Sequence, residues 1–361
     1  MTKLDWYILR QYISTFVFAI LLLTFITIVI DTSEHSDDFV KSGLSTWEII
    51  KQYHFGFVPR MITLLFPLFI FISVIFFTSK LAGRTEIVAI LASGISFNRF
   101  LRPYWIGSIF FAILLWLSFR YVTPIANQIF SDFQNKYIDN PNYSGDYNAS
   151  TIYFRNDSTH YGSVSYFDTA QKRGNAFTLQ EIKHNELKQN IRAESLVWDT
   201  AKRRWKLEVV TIRDINGDVE KVRQINDTVI NLNFKPSEFK KGQYTKDILN
   251  TPELQELIRK EKLRGTEGIN DLIVERHRRD ATPISIVLLT MMGVAVSSRK
   301  VRGGSGLHLA MGIILAALFI LTDRFSTIFS TKGNFPPALA AWTPNLIFFF
   351  VTIYLFKKAP K

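Results

Sequence analysis

Apolar residues in this chain are gathered into blocks. Between Tyr12 and Ile30 the text reads YISTFVFAILLLTFITIVI, without a single charge. About 20 such residues in helical form match the hydrocarbon thickness of a bilayer. Similar blocks run over 61–78, 104–119, 282–298, 307–321 and 342–356. The pattern therefore predicts six transmembrane helices. The fourth and fifth are softened by small residues, and Gly312 and Ala316 share a helix face where another helix can approach closely. The first block is too long for the core of a signal peptide, lacks an A-x-A site, and is followed by the acidic text DTSEHSDD.

Between the third and fourth blocks the period changes. TIYFRND, GSVSYFDTA, AFTLQEIK, SLVWDT, RWKLEVVTIRDING and TVINLNFK are short runs rich in Val, Ile, Thr and aromatics. Turn text such as NPNYSGD, DTAKRR and INGD separates them. Strands at this spacing predict a β-sandwich or open barrel, with a hairpin at Asn216-Gly217. About 120 residues are enough for one such domain with its own core. Next, TPELQELIRKEKLR returns to helical spacing. Thr251 is read as its cap, Pro252 as its first helical residue, and Leu254, Leu257, Ile258 and Leu263 as one face. The predicted organisation is three helices in 1–123, an outer β domain in 124–250, a helical connector in 251–280 and three helices in 281–361. The fold class is that of an α+β integral membrane protein.

One stretch fits neither pattern. GRTEIVAILASGIS, residues 83–96, places Ile87, Ile90, Leu91 and Ile95 on one helical face. Thr85 is read as an N-cap and Gly94 as the terminator, where a left-handed backbone costs glycine little. A helix this short and polar cannot span. It lies on the lipid surface, or it docks into another protein.

Charge orients the bundle. Lys3, Arg10, Lys80, Arg84, Arg99 and Arg102 lie at one set of helix ends, with Arg299, Lys300, Arg302, Lys357, Lys358 and Lys361. The opposite short loops carry only Lys41, Lys51 and Lys332. The positive-inside rule then puts both termini and the helix at about 84–96 in the cytoplasm, and the strand domain outside. The net charge of +12 is absorbed by these boundaries and by headgroups, which leaves no reason to invoke nucleic acid.

Candidate chemistry is sparse. The chain has no cysteine, which excludes disulfides, thiol catalysis, Fe–S clusters and cysteine zinc sites. RGGSGLHL lacks the lysine and preceding strand of a phosphate loop, the histidines show no HExxH spacing, and no G-x-S-x-G elbow occurs. No catalytic set, metal site or cofactor site is therefore expected, and work done by this chain must be powered from elsewhere. The sequons at Asn142, Asn148, Asn156 and Asn226 are read as turn residues in preference to glycan sites.

Five arginines sit at the outer ends of four helices: Arg60, Arg120, Arg278, Arg279 and Arg324. A charge near that depth is costly unless it is used or can reach the interface. A guanidinium grips phosphate with two parallel hydrogen bonds. As a group they are predicted to hold an anionic lipid headgroup. The plainer alternative is pairing with neighbours, Asp280 beside Arg279 and Asp323 beside Arg324.

LDWYILRQY at the start, VERHRRDATPIS before the fourth block, and above all GRTEIVAILASGIS carry a resemblance. The last resembles an R-[ST]-E-[IL]-x-x-[ML]-x-A-S-G pattern. With the order three spans, β domain, three spans, the whole chain resembles the lipopolysaccharide-export permeases of the LptF/LptG type. The resemblance implies two permeases, identical or paralogous, enclosing a V-shaped cavity open to the outer leaflet of a bacterial inner membrane. Each would bind one copy of a cytoplasmic ABC ATPase dimer through a coupling helix. Here that helix brings the polar positions Arg84, Thr85, Glu86, Ser93 and Gly94, with Glu86 a contact, and the apolar Ile87, Ile90, Leu91 and Ala92. ATP and Mg would belong to the ATPase, and this chain would bind no cofactor. The periplasmic domain would be jellyroll-like and hand lipopolysaccharide to a periplasmic jellyroll bridge protein. One departure stands out. Some members carry a basic residue at the outer end of span 1, whereas this chain has Asp31, Glu34, Asp37 and Asp38. The headgroup contact has then moved, or the lipid carries fewer phosphates, or divalent ions bridge. Competing readings are a permease for another lipid or lipoprotein, and a scaffold that displays a β domain.

Overall fold

Each apolar block lies, to within one residue, inside a longer helix. In the computed structural model, which describes residues 2–138, 151–168, 171–200, 203–217, 219–232, 236, 245–264, 268–299 and 304–358, six helices are long and apolar enough to cross a membrane. They are span 1 (Lys3–Glu34), span 2 (Thr46–Gly83), span 3 (Phe97–Ile138), span 4 (Ile269–Ser297), span 5 (Gly306–Lys332) and span 6 (Pro337–Lys357). The α+β class read from the sequence is the observed one.

Span 2 is the axis of the helical unit. One of its faces packs Phe66, Ile70, Val74 and Phe77 against Tyr12 and Phe16 of span 1 and Tyr104 and Phe111 of span 3. Another face packs Phe71 and Ile75 against Leu289, Met292, Ala316 and Phe348 of spans 4, 5 and 6. The apolar windows of spans 2 and 4 are 61% and 72% buried, against 11% and 17% for spans 1 and 5. Spans 1 and 5 thus present apolar faces to lipid or to another chain. Small residues set the close approaches. A Cβ on Gly312 would lie 2.4 Å from Ile75 Cδ1, and one on Gly107 would meet the Tyr12 ring at 2.7 Å. Buried polar groups bond between helices: the Tyr12 and Thr290 hydroxyls are 2.9 Å apart, and Asn345 donates to the Ala281 carbonyl at 2.8 Å.

The expected boundary at Pro124 falls inside a helix. A π-helical turn over Ser118–Val122 precedes Pro124. Such a turn accommodates the ring and its missing donor without ending the helix, so span 3 runs on to Ile138 and the first strand begins only at Ile152.

The jellyroll-like domain is a six-stranded antiparallel sheet: β1 (Ile152–Arg155), β2 (His160–Asp168), β3 (Arg173–Lys183), β4 (Glu186–Asp199), β5 (Arg204–Asn216) and β6 (Val219–Ile230). Every spatial neighbour is a sequence neighbour. Alternation supplies the core, with Phe177 and Leu179 of β3, Ala193 and Leu196 of β4, and Trp205 and Leu207 of β5 packed together. The hairpin forms where expected: Asn216 pairs with Val219 and Gly217 takes φ +60°. Asn226 lies within β6, so it is a strand residue instead of a turn residue. The sequons at Asn142 and Asn148, the NPNYSGD turn, Asp218, Lys300, Arg302 and Lys361 lie outside the described residues. After a short helix at Thr245–Ile248, the predicted connector helix, Thr251–Arg264, is capped one residue earlier than expected. Asn250 Oδ1 accepts from the Glu253 amide at 3.0 Å, and the Glu253 carboxylate accepts from the Asn250 amide at 3.0 Å. Two compact units result, the six helices with Lys246–Leu254, and the sheet with the later turns of that helix.

Candidate functional site

The stretch between spans 2 and 3 forms a helix over Glu86–Ala92. Its first expectation fails: Thr85 makes no cap. It sits at φ +61°, and its hydroxyl donates back to the Arg84 carbonyl at 2.6 Å. That conformation strains a β-branched residue. Gly94 does end the helix, at φ +88°, with its amide donating to the Leu91 carbonyl at 3.1 Å. Ile87 is 1% exposed, inside the main core, and Ile90 and Leu91 pack against that core. Val88, Ala89, Ala92 and Ser93 are exposed. The helix is therefore seated on the bundle by one face and bare on the other. Glu86 accepts from the Tyr7 hydroxyl at 3.1 Å and lies 3.8 Å from Arg84.

At the opposite end of the bundle lies a cavity of about 460 Å³. Helix direction fixes this: the beginnings of spans 2 and 4 and the end of span 5 meet there. Its inner wall is apolar, with Leu68, Phe71, Leu289, Ala316 and Phe319. Its rim is charged, with Arg60, Lys246, Arg278 and Arg324 against Asp247, Glu275 and Asp323. An apolar wall below a charged rim suits an amphiphile with an anionic head.

The five arginines do not share one fate. Arg60, Arg278 and Arg324 line the cavity, and Arg120 and Arg279 do not. Arg120 lies over the Trp116 ring at 5.3 Å. Arg279 is 4% exposed and donates to the Leu249 and Lys246 carbonyls at 2.8 Å each, and to Glu275 at 3.3 Å. It pins the returning chain to span 4. The neighbour pairings suggested by the sequence are replaced. Asp323 bonds Arg278 at 3.1 Å, and Asp280 bonds Arg276 at 2.5 Å. Arg324 is exposed and makes no ion pair among the described residues. Sequence reasoning missed Lys246 and Asp247, which reach the rim from beyond the sheet. Asn127 holds that segment by donating to the Asp247 carbonyl at 2.8 Å. Burial raises the Asp247 carboxyl above its usual range, and Lys246, Arg60 and Arg279 draw it back.

Asp31 does not face lipid. It is 9% exposed, accepts from the Tyr53 hydroxyl at 3.1 Å, and has His35 at 3.4 Å. It ties the outer tip of span 1 to span 2. Among the described residues no group of His, Asp and Glu side chains could hold a metal ion.

No curated protein matches the sequence. The family model for the lipopolysaccharide export system permease LptF/LptG matches residues 6–358. With six membrane-capable helices and an antiparallel sheet between the third and fourth, the chain belongs to the lipopolysaccharide export system permease LptF/LptG family.

Proposed function

We propose that this chain is one permease subunit of an ATP-driven exporter. It takes lipopolysaccharide from the outer leaflet of the inner membrane and passes it to a periplasmic jellyroll bridge. The observation that carries this is helix Glu86–Ala92. Ile87 anchors it in the core while Val88, Ala89 and Ala92 stand bare, an arrangement that suits a docking surface on a rigid mount. A cytoplasmic ATPase dimer, one copy for each of two permeases, is the partner that supplies work there. The amphiphile-shaped cavity lies at the far end of the same helices, and its arginines suit lipid phosphate. Handoff is supported by β6, whose Val219, Val222, Ile225 and Val229 are exposed along a sheet edge. Such an edge accepts an added strand.

The acidic tip, with Glu34 and Asp37 exposed beyond Asp31, favours a second reading: a lipid with fewer phosphates than lipopolysaccharide. Purifying the intact chain from its native membrane in mild detergent tests both. A stoichiometric nucleotide hydrolase and a co-eluting lipopolysaccharide are expected. A hydrolase with a different lipid selects the second reading. Absence of any hydrolase contradicts the exporter.

A further inference from the structure

We propose that Asp5 and Arg99 latch the start of span 1 to the start of span 3, which directly follows helix Glu86–Ala92, so that a displacement of that helix reaches spans 1 and 3 together as a rigid-body motion. The proposal rests on reading residues 84–94 as the ATPase-docking segment. Asp5 is 2% exposed, yet it is a carboxylate. Arg99 straddles it, Nη1 to Oδ1 at 2.8 Å and Nη2 to Oδ2 at 3.0 Å. A bidentate, sheltered ion pair of this kind fixes angle as well as distance. Its acceptor is held in turn, since the Thr2 amide donates to Asp5 Oδ2 at 2.8 Å. Arg99 lies in the first helical turn of span 3, Phe97–Phe100, capped by Ser96, whose hydroxyl accepts from the Arg99 amide at 3.3 Å. Tyr7 makes a second tie, through its hydroxyl, to Glu86. Beneath these bonds Ile8 of span 1 and Ile87 of the short helix, each 1% exposed, belong to one core.

The rest of span 1 explains why a latch at this end matters. Buried residues recur from Asp5 to Ile20 and stop; from Leu21 to Ile30 none is buried, until Asp31 at the tip. The outer half therefore has sparse side-chain packing, with Leu23 meeting the core, to set its position within the chain. Its position follows chiefly from the latched end and from the ties at the tip, Asp31 to Tyr53 and Thr32 to His54. Asp5, Tyr7 and Arg99 act as positioning residues, and none of them touches the cavity.

The native chain has no cysteine, so introduced labels report alone. Spin labels at Trp6→Cys and Asn98→Cys, both exposed positions, are placed on the full chain in nanodiscs without any ATPase. A single narrow distance is expected in the parent and in Arg99→Lys, and a broadened one in Arg99→Ala. An unchanged distribution in Arg99→Ala overturns the latch. In the full complex, Arg99→Ala is expected to keep ATP hydrolysis within twofold while lipid released per ATP falls at least tenfold, and Arg99→Lys restores release. Unchanged release overturns the proposal, as does joint loss of assembly and hydrolysis, which would make Arg99 a folding or docking residue. If no hydrolase associates even with the parent, the exporter reading fails. The label distances then decide the latch by themselves.

Discussion

Tryptophan in place of Ala92 is expected to abolish export while leaving the chain folded. Ala92 is exposed, on the bare face of helix Glu86–Ala92. Exposed substitutions of this kind change stability by no more than about 0.5 kcal/mol. A bulky ring on a docking face acts instead on the partner, by steric exclusion. A loss of about 2 kcal/mol is expected, roughly a thirtyfold weaker complex. The checks are the thermal transition of the variant, within a few degrees of the parent, and the yield of ATPase on affinity-purified chain, close to zero. A contrast separates docking from mounting. Ile87→Ala empties a core site that is 1% exposed in the folded chain and is expected to destabilise by ~2–5 kcal/mol. It lowers protein yield as well as ATPase recovery.

Removing Arg324 is the second large effect expected. Arg278 is the less informative target: its loss would strand Asp323, which it meets at 3.1 Å, and breaking such a sheltered pair costs ~3–5 kcal/mol of stability. Arg324 is exposed, lines the cavity and makes no ion pair among the described residues. Arg324→Ala therefore leaves no carboxylate stranded. A charge-assisted hydrogen bond is worth ~1.5–3 kcal/mol, so affinity for a phosphorylated amphiphile is expected to fall at least tenfold. Arg324→Glu should lower it further, and Arg324→Lys should retain much of it. Titration of purified chain with lipopolysaccharide, and with the same lipid after removal of its phosphates, reads the effect. If dephosphorylated and native lipid bind Arg324→Ala and parent alike, the cavity does not read phosphate.

The helices and strands were legible because each rests on local periodicity. Nineteen uncharged, mostly apolar residues from Tyr12 to Ile30 admit few other fates, and the alternation in RWKLEVVTIRDING becomes β5 with Trp205 and Leu207 turned inward. Boundaries were less legible where a local rule met a tertiary answer. Pro124 signals an end, yet a π-helical turn lets span 3 continue to Ile138. Thr85 looks like a cap, but the turn out of span 2 forces it to φ +61° and its hydroxyl to Arg84. The candidate site was legible only in part, because charge can be read from sequence and direction cannot. Arg279 and Arg278 are adjacent, and helix rotation sends one to backbone carbonyls and the other to the cavity. Lys246 and Asp247 reach the rim only because the chain returns from the sheet and is held by Asn127 and Arg279. Asp5 and Arg99 are 94 residues apart, a separation at which no sequence pattern predicts contact.

The central claim is that work done by an ATPase at residues 84–94 lifts an anionic amphiphile from the far leaflet. Its most direct measurement is lipid release from proteoliposomes that hold this chain, its partner permease and the co-purifying ATPase, with a soluble jellyroll acceptor outside. The account predicts that labelled lipopolysaccharide moves to the acceptor only while ATP is hydrolysed, and that Ala92→Trp stops it. Release without nucleotide, or sustained hydrolysis with no lipid reaching the acceptor, would contradict it.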